Sequence, residues 1–381
     1  MDFSIIVPTW NREELVEKLL KSLYDERKRY DKGKSELLII DSSKADAKEK
    51  IISFCEKYDG KYISGSDSVR QKRNKGISLA KYEYILFIDS DVTVKLGLLD
   101  EYYKAYQDAK IDNLGGVLGY TEFVGEKSFY WKMLEKTSFV DSFSFARKYP
   151  YHSWTIGNNV SFKKDVLVEI GMFEENFPFK LGGDDLDLSY RVTKKGYMIG
   201  SAPNAVTYHS RETWNNFKAI HDRAKRWGSM EYFISKRHPE IYKKIILKSY
   251  LIETFVLLAM LILSLLLKNK IPVYIGLSWI IINLLINYLL DLRKNGYSSI
   301  FVYFGSKLIG AMYEFYRLKN FFIRGSFEAL YKGLVFNFMQ IKYGMENEAK
   351  RVKKLLISFI FIFFLFIFFM WILVLKVKKW S

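Results

Sequence analysis

Asp89 and Asp91, separated by one small residue, are the side chains here whose type and spacing most directly permit chemistry. They follow the apolar run Tyr84-Ile85-Leu86-Phe87-Ile88, which reads as a buried strand. Residues two apart on a strand point to the same side, so both acids can converge on one object. Open α/β sheets bind ligands at the carboxyl ends of their strands. Paired hard oxygen ligands there suit Mg2+ or Mn2+, above all a cation already carrying phosphates. The plainer reading is that Asp89 and Asp91 end a strand and cap the next helix, as most isolated Asp-x-Asp pairs do. A second acidic group, Asp184-Asp185-Leu186-Asp187, follows Gly182-Gly183. Glycines before acids mark a loop-to-helix junction, where negative charge meets the helix dipole.

The elements that must position these acids can be read from periodicity. Phe3–Pro8 is a first strand, and Leu15, Val16, Leu19, Leu20 and Leu23 follow at helical spacing. Leu37–Ile40 is a second strand ending on Asp41-Ser42-Ser43, and Ala45–Tyr58 a helix carrying Ile51, Ile52 and Phe54. Lys61-Tyr62-Ile63 is a short strand, and the basic stretch Val69–Lys81 opens a further helix before the Tyr84–Ile88 strand. Strands alternating with helices over short connections predict an α/β domain with a largely parallel sheet. Further on, Gly115–Gly119 and Gly157–Phe162 read as strands, Lys164–Ile170 as a helix, and 121–154 is aromatic without clear period. His209 is expected just after a final strand.

The chain has 381 residues and a formal net charge of +17, which calls for an anionic partner or surface. No zinc-finger spacing, homeodomain-like pattern or ribonucleoprotein motif supports nucleic acid. The other anionic surface is a membrane. Ile271–Leu290 and Leu355–Leu375 carry no charge, and Ser249–Leu267 carries only Glu253. Segments of this kind match a bilayer core. Residues 291–354 mix aromatics with an excess of Lys and Arg, as interfacial amphipathic helices on anionic membrane lipids do. Ser299–Tyr313 is a possible fourth span, weakened by Lys307. The expected division is a cytosolic domain over 1–245 and a membrane domain over 246–381, spanning at 249–267, 271–290 and 355–375. The basic 291–354 stretch is expected on the cytosolic side. The single cysteine, Cys55, excludes an intrachain disulfide framework, and the strand-like start without a signal sequence fits a catalytic domain on the cytosolic face of the cell membrane.

Taken in order, the strand ends form a set that resembles the family 2 glycosyltransferases, nucleotide-sugar enzymes with the Rossmann-like GT-A fold. The opening strand Ile5-Ile6-Val7-Pro8-Thr9-Trp10-Asn11-Arg12 is similar to theirs, as are Ile39-Ile40-Asp41-Ser42-Ser43, Arg73-Asn74-Lys75-Gly76 and Asp89-Ser90-Asp91. Gly157-Asn158-Asn159, Gly171-x-Phe173-Glu174-Glu175-x-Phe177 and Gly183-Asp184-Asp185-x-Asp187-Leu188 resemble the later motifs, and the likeness covers about residues 3–230. It implies an inverting transfer from a UDP- or GDP-sugar. Donor contacts would come from Pro8, Thr9, Asn11, Arg12, Asp41, Arg73, Asp89 and Ser90. A Mn2+ or Mg2+ ion would sit on Asp91, with Asp89 on the ribose or a metal-bound water. In some GT-A enzymes a histidine at the place of His209 is a third metal ligand; a structural histidine is the alternative. Asp185 would be the general base, supported by Asp184, which stands where the family usually has Glu. Ser42 stands where the family usually has a second acid or Asn, so the base contact would rest on Asp41. Asn158 and Asn159 lie on the acceptor-side strand, and Trp154 just before it. Arg223-Ala224-Lys225-Arg226-Trp227 resembles the Gln-x-x-Arg-Trp motif of processive polysaccharide synthases, with Arg223 in place of Gln. Arg226 would pair with phosphate and Trp227 stack on an acceptor sugar, or both belong to a basic membrane-surface helix.

Three functions are compatible with these residues. The first is a membrane-anchored inverting glycosyltransferase acting on a lipid-linked or polyprenyl-phosphate acceptor. The second is a processive polysaccharide synthase, for which the apolar segments are few. The third is an inactive membrane-binding scaffold, against which the retention of Asp89, Asp91 and Asp185 argues.

Overall fold

The computed structural model describes residues 1–176, 182–244, 249–296 and 299–336, together with 353–354, 356–358 and 360. The described chain divides into two compact units, one of Met1–Arg237 with Ser306–Arg317, the other of His238–Gly305 with Leu318–Ser381.

The first unit opens with β1 (Phe3–Thr9), α1 (Glu13–Arg29), β2 (Ser35–Asp41), α2 (Ala45–Lys57), β3 (Lys61–Ser64), α3 (Val69–Leu79) and β4 (Tyr84–Ile88). There follow β5 (Val92–Val94), α4 (Leu98–Gln107), β6 (Leu114–Val124), α5 (Phe129–Glu135), α6 (Phe145–Lys148) and β7 (Tyr151–His152). The unit continues through β8 (Asn159–Lys163), α7 (Lys164–Glu169), α8 (Asp184–Lys194), β9 (Met198–Ser210) and α9 (Phe217–Arg237). The strands form one nine-stranded sheet in the order β3-β2-β1-β4-β8-β6-β9-β5, with β7 also paired to β9.

The β1–β4 half is parallel, as the strand–helix alternation predicts. The sheet as a whole is mixed, which corrects the largely parallel expectation: β8 lies antiparallel between β4 and β6, and β5 and β7 are antiparallel to β9. Alternation along each strand divides the core. Ile5, Val7, Leu86 and Ile88 face one layer with Val16, Leu19, Leu20 and Leu23 of α1. Ile6, Ile85 and Phe87 face the other, with Ile77 of α3 and Leu188 of α8.

In the second unit, β10 (Tyr242–Lys244) pairs antiparallel with β11 (Lys332–Leu334), and α10 (Ser249–Leu266) packs against α11 (Ile271–Asn295) around Val256, Met260 and Trp279. Ile271–Arg293 is, among the described residues, a helix long and apolar enough to cross a membrane; Ile252–Leu266 is shorter. Most of the expected 355–375 span, and part of the expected interfacial stretch, lie outside the described residues. Helix α12 (Ile300–Phe322) covers the expected fourth span, Ser299–Tyr313, except for Ser299, yet its Ser306–Arg317 stretch groups with the first unit. There Arg317 is buried and paired with Glu231 of α9 at 3.1 Å and Glu314 at 2.6 Å, and Glu231 also accepts from the Tyr313 hydroxyl at 2.8 Å. Gly228 lets the backbones meet, since a Cβ there would lie 2.3 Å from the Tyr313 carbonyl oxygen.

Candidate active site

β4 ends at Ile88, so Asp89 and Asp91 sit in the turn to β5 rather than on the strand itself, and the next helix, α4, starts only at Leu98. The helix-capping reading is thereby excluded. The two carboxylates meet different cations. Arg73 of α3, nearly fully buried, donates from Nη2 to Asp89 Oδ1 at 2.9 Å and from Nη1 to Asp184 Oδ2 at 2.9 Å. Its Nη2 also reaches the Gly157 carbonyl at 3.2 Å. One guanidinium thus joins the β4 turn to the start of α8, residues 111 apart from its own position in the case of Asp184. Gly157 leaves room beside it: a Cβ there would stand 2.9 Å from Arg73 Nη2. The planar fork of arginine suits such a double engagement, which a lysine ammonium cannot reproduce.

Helix α8 begins at Asp184 because Gly183 supplies the left-handed turn, at φ +80°. Asp185 is half-buried, and its oxygens accept from the Gly157 N–H at 3.2 Å and the Leu186 N–H at 2.9 Å. Burial, then the adjacent Asp184 charge, push its carboxyl up to about 7, against the opposing pull of Arg73 and the two N–H groups. A carboxylate poised there can accept a proton near neutral pH.

On the other side of the turn, Arg12 Nη1 donates to Asp91 Oδ2 at 2.7 Å, while His209 Nε2 stands 3.5 Å from Asp91 Oδ1. His209 lies within β9, opposite Val92, and not after the strand as expected. Its Nδ1 is 2.9 Å from the Ser210 carbonyl oxygen. A carbonyl only accepts, so Nδ1 carries a hydrogen and Nε2 is the ring nitrogen turned toward the carboxylate. A carboxylate oxygen and an imidazole nitrogen turned toward one another are both ligand types for a divalent cation, so Asp91 and His209 fit the expected Mn2+ or Mg2+. Among the described residues no group of three His, Cys, Asp or Glu stands together as a metal cluster. Arg223, missed as a site residue, approaches the same corner: it stacks 3.9 Å above Trp214 and donates to the Thr213 and Ala219 carbonyls. Its acidity is pushed to about 10 by burial and then by Arg226, with Arg12 acting the same way and Asp91 opposing. The signal for it was its place in Arg-x-x-Arg-Trp, set aside because the motif carries Gln there.

The remaining expected residues divide. Asp41 is fully buried and accepts from Ser43 N at 3.0 Å, Ser43 Oγ at 2.6 Å and Tyr62 OH at 3.3 Å. Ser43 Oγ in turn accepts from Asn11 N at 2.7 Å, so Asp41 braces the loop after β1, where Asn11 holds φ +46°. Pro8 and Thr9 are buried at the end of β1, and the Thr9 carbonyl accepts from Lys72 Nζ at 2.6 Å. Ser90 is buried in the turn. Asn159 does not face the site: its amide donates to the Tyr120 and Ala205 carbonyls and its oxygen accepts from Tyr102 OH at 2.9 Å. Asn158 exchanges bonds with Thr121. Trp154 packs edge-on against Phe145 in the core layer. Trp227 lies half-buried against Phe139 and Trp214, with Gly182 beside its ring, and Arg226 is half-buried next to it.

Residues 4–171 match the family profile of Glycosyl transferase family 2. A chondroitin synthase of Escherichia coli is 24% identical over 279 residues, covering 63% of this chain and 39% of that protein. A GalNAc(5)-diNAcBac-PP-undecaprenol beta-1,3-glucosyltransferase of Campylobacter jejuni is 27% identical over 180 residues, 46% of this chain and 55% of that protein. The chain therefore spans well under two thirds of the length of these relatives. A solved mannosyltransferase of Pyrobaculum calidifontis, in complex with GDP-Man and Mn2+, aligns over 86% of this chain and 85% of its own at 16% identity, with a TM-score of 0.47.

Proposed function

We propose that this chain is a metal-dependent inverting glycosyltransferase of family 2, with a GT-A catalytic domain, that moves a sugar from a UDP- or GDP-sugar to a lipid-linked acceptor. The observation that carries this reading is the Arg73 bridge, which ties the Asp89–Asp91 turn to the Asp184–Asp185 helix start within one buried constellation. The match of residues 4–171 to the glycosyltransferase profile supports it.

Asp185 takes the proton of the acceptor hydroxyl as its oxygen attacks the anomeric carbon, and later releases that proton to solvent. The sugar–diphosphate C–O bond breaks on the opposite face, inverting the centre through an oxocarbenium-like transition state. Asp184, held by Arg73, keeps negative charge beside Asp185 and strengthens its hold on the proton. Arg12, Arg223 and Arg226 supply positive charge where the leaving diphosphate develops its own. Asp91 and His209 would hold Mn2+ or Mg2+, which when bound supplies Lewis-acid neutralisation of that diphosphate. Asp41 and the Asn11 loop support the nucleoside end.

A membrane setting is supported by Ile271–Arg293, and a lipid-linked acceptor by the polyprenol-linked substrate in the name of the Campylobacter relative. Processive synthesis is the second reading, favoured by the Arg226-Trp227 pair and the chondroitin synthase relatives. The test is release of nucleoside diphosphate by the full chain in detergent, given a panel of UDP- and GDP-sugars, Mn2+ and a membrane lipid extract. One donor class should be consumed, with Asp185→Asn and Asp91→Ala each reduced at least about 100-fold. Near-normal turnover by either variant refutes the mechanism, and product length separates single transfer from polymerisation.

A further inference from the structure

The contact between Arg12 and Asp91 asks for an account that sugar transfer alone does not supply. Asp91 is nine-tenths buried, and its Oδ2 is taken by a guanidinium that is itself 45% exposed. A buried carboxylate needs a partner at all times, and here the partner is a side chain with solvent access and freedom to turn away. Oδ1 of the same carboxylate lies 3.5 Å from Nε2 of His209. Burial chiefly, and Arg12 among the neighbouring charges, push Arg223 and Arg226 toward their neutral forms, while Asp222 opposes at both and Asp91 at Arg223. A divalent cation entering beside Asp91 meets repulsion from the Arg12 guanidinium at short range.

We propose that Arg12 is the resident counter-ion of Asp91 and makes divalent-cation binding conditional on a nucleoside diphosphate. Without nucleotide, Arg12 neutralises Asp91 and opposes the metal. When a diphosphate enters, its charge draws the Arg12 guanidinium, and Asp91 becomes available to the cation. Metal and nucleotide then strengthen each other's binding by one and the same factor, as linkage requires. The inference rests on the metal-and-diphosphate reading of the site and adds the order in which its charges are exchanged.

The experiment is equilibrium Mn2+ binding to the full chain in detergent, read from the electron paramagnetic resonance signal of free Mn2+, with and without UDP or GDP. Wild type should bind Mn2+ weakly alone and at least about tenfold more tightly with the nucleotide that suits the site. Arg12→Gln should bind Mn2+ alone roughly three- to tenfold more tightly than wild type, and the nucleotide should then help less. Arg12→Lys, which keeps the charge, should stay close to wild type and controls for folding. Arg12→Gln binding Mn2+ alone no better than wild type overturns the inference while leaving the transfer reading intact. Asp91→Asn binding Mn2+ as well as wild type removes Asp91 from the metal and overturns both.

Discussion

Asp185→Asn should abolish transfer and at the same time stabilise the protein at alkaline pH. The carboxyl is raised from its ordinary 3.8 to about 7, first by burial and then by Asp184. A group that holds its proton more tightly when folded favours folding below both values, and that contribution is lost as pH rises from about 4 to about 7. Above 7 the folded state must carry a half-buried charge. Three units at about 1.4 kcal/mol each set an upper bound of about 4 kcal/mol on that cost. Partial exposure lowers it, and asparagine replaces one of the oxygens that accept from Gly157 and Leu186, losing about 1 kcal/mol. The net gain at pH 8 is then about 2 kcal/mol, or roughly 4–8 °C in melting temperature for a unit of this size. The assay is thermal unfolding of wild type and variant across pH 4 to 9. The difference should move in the variant's favour with rising pH through the interval and become a loss of about 1 kcal/mol near pH 4. A variant less stable than wild type at pH 8, or a difference independent of pH, refutes both the elevated acidity and the case for Asp185 as base. In the wild type, kcat/KM should rise with pH through the same region.

Arg73→Gln leaves Asp89 and Asp184 without their shared counter-ion, so unfolding should be easier by about 3–5 kcal/mol, measured by urea denaturation; a loss below 1 kcal/mol shows that the bridge is not formed. Gly228→Ala gives a sign test for the packing of Ser306–Arg317 on α9. On an exposed helix the change would stabilise by about 1 kcal/mol, whereas a Cβ 2.3 Å from the Tyr313 carbonyl should destabilise by about 1–3 kcal/mol.

Much of the first half of the chain was legible because local periodicity and sheet position coincide there. Apolar runs broken at Pro8, Asp41 and Asp89 mark strands whose carboxyl ends form one edge, and the Gly182-Gly183 pair before Asp184 marks a helix start by backbone geometry alone. Asp89 and Asp91 were therefore recognisable as candidates before any distance was known, whereas Asp185 became one through the resemblance of Gly183-Asp184-Asp185-x-Asp187-Leu188 to a family motif. Side-chain direction was not recognisable. Asn158 and Asn159 are adjacent and look alike in sequence, yet Asn159 is consumed by Tyr102, Tyr120 and Ala205. Asp41 points inward at Ser43 for the same kind of reason. Neither outcome leaves a mark in periodicity, because it depends on what neighbouring strands contribute at that level of the sheet.

The amino-acid sequence by itself determined that acids would gather at the strand ends of an α/β domain, since strand period, turn residues and helix-start chemistry act over a few residues. Tertiary structure alone decided which cation each acid meets: Arg73 for Asp89 and Asp184, Arg12 for Asp91. It also decided that β8 enters antiparallel and that Arg317 reaches back to Glu231. Those pairings join residues far apart in the chain. They form because a buried charge must find its complement wherever the completed fold brings one within reach.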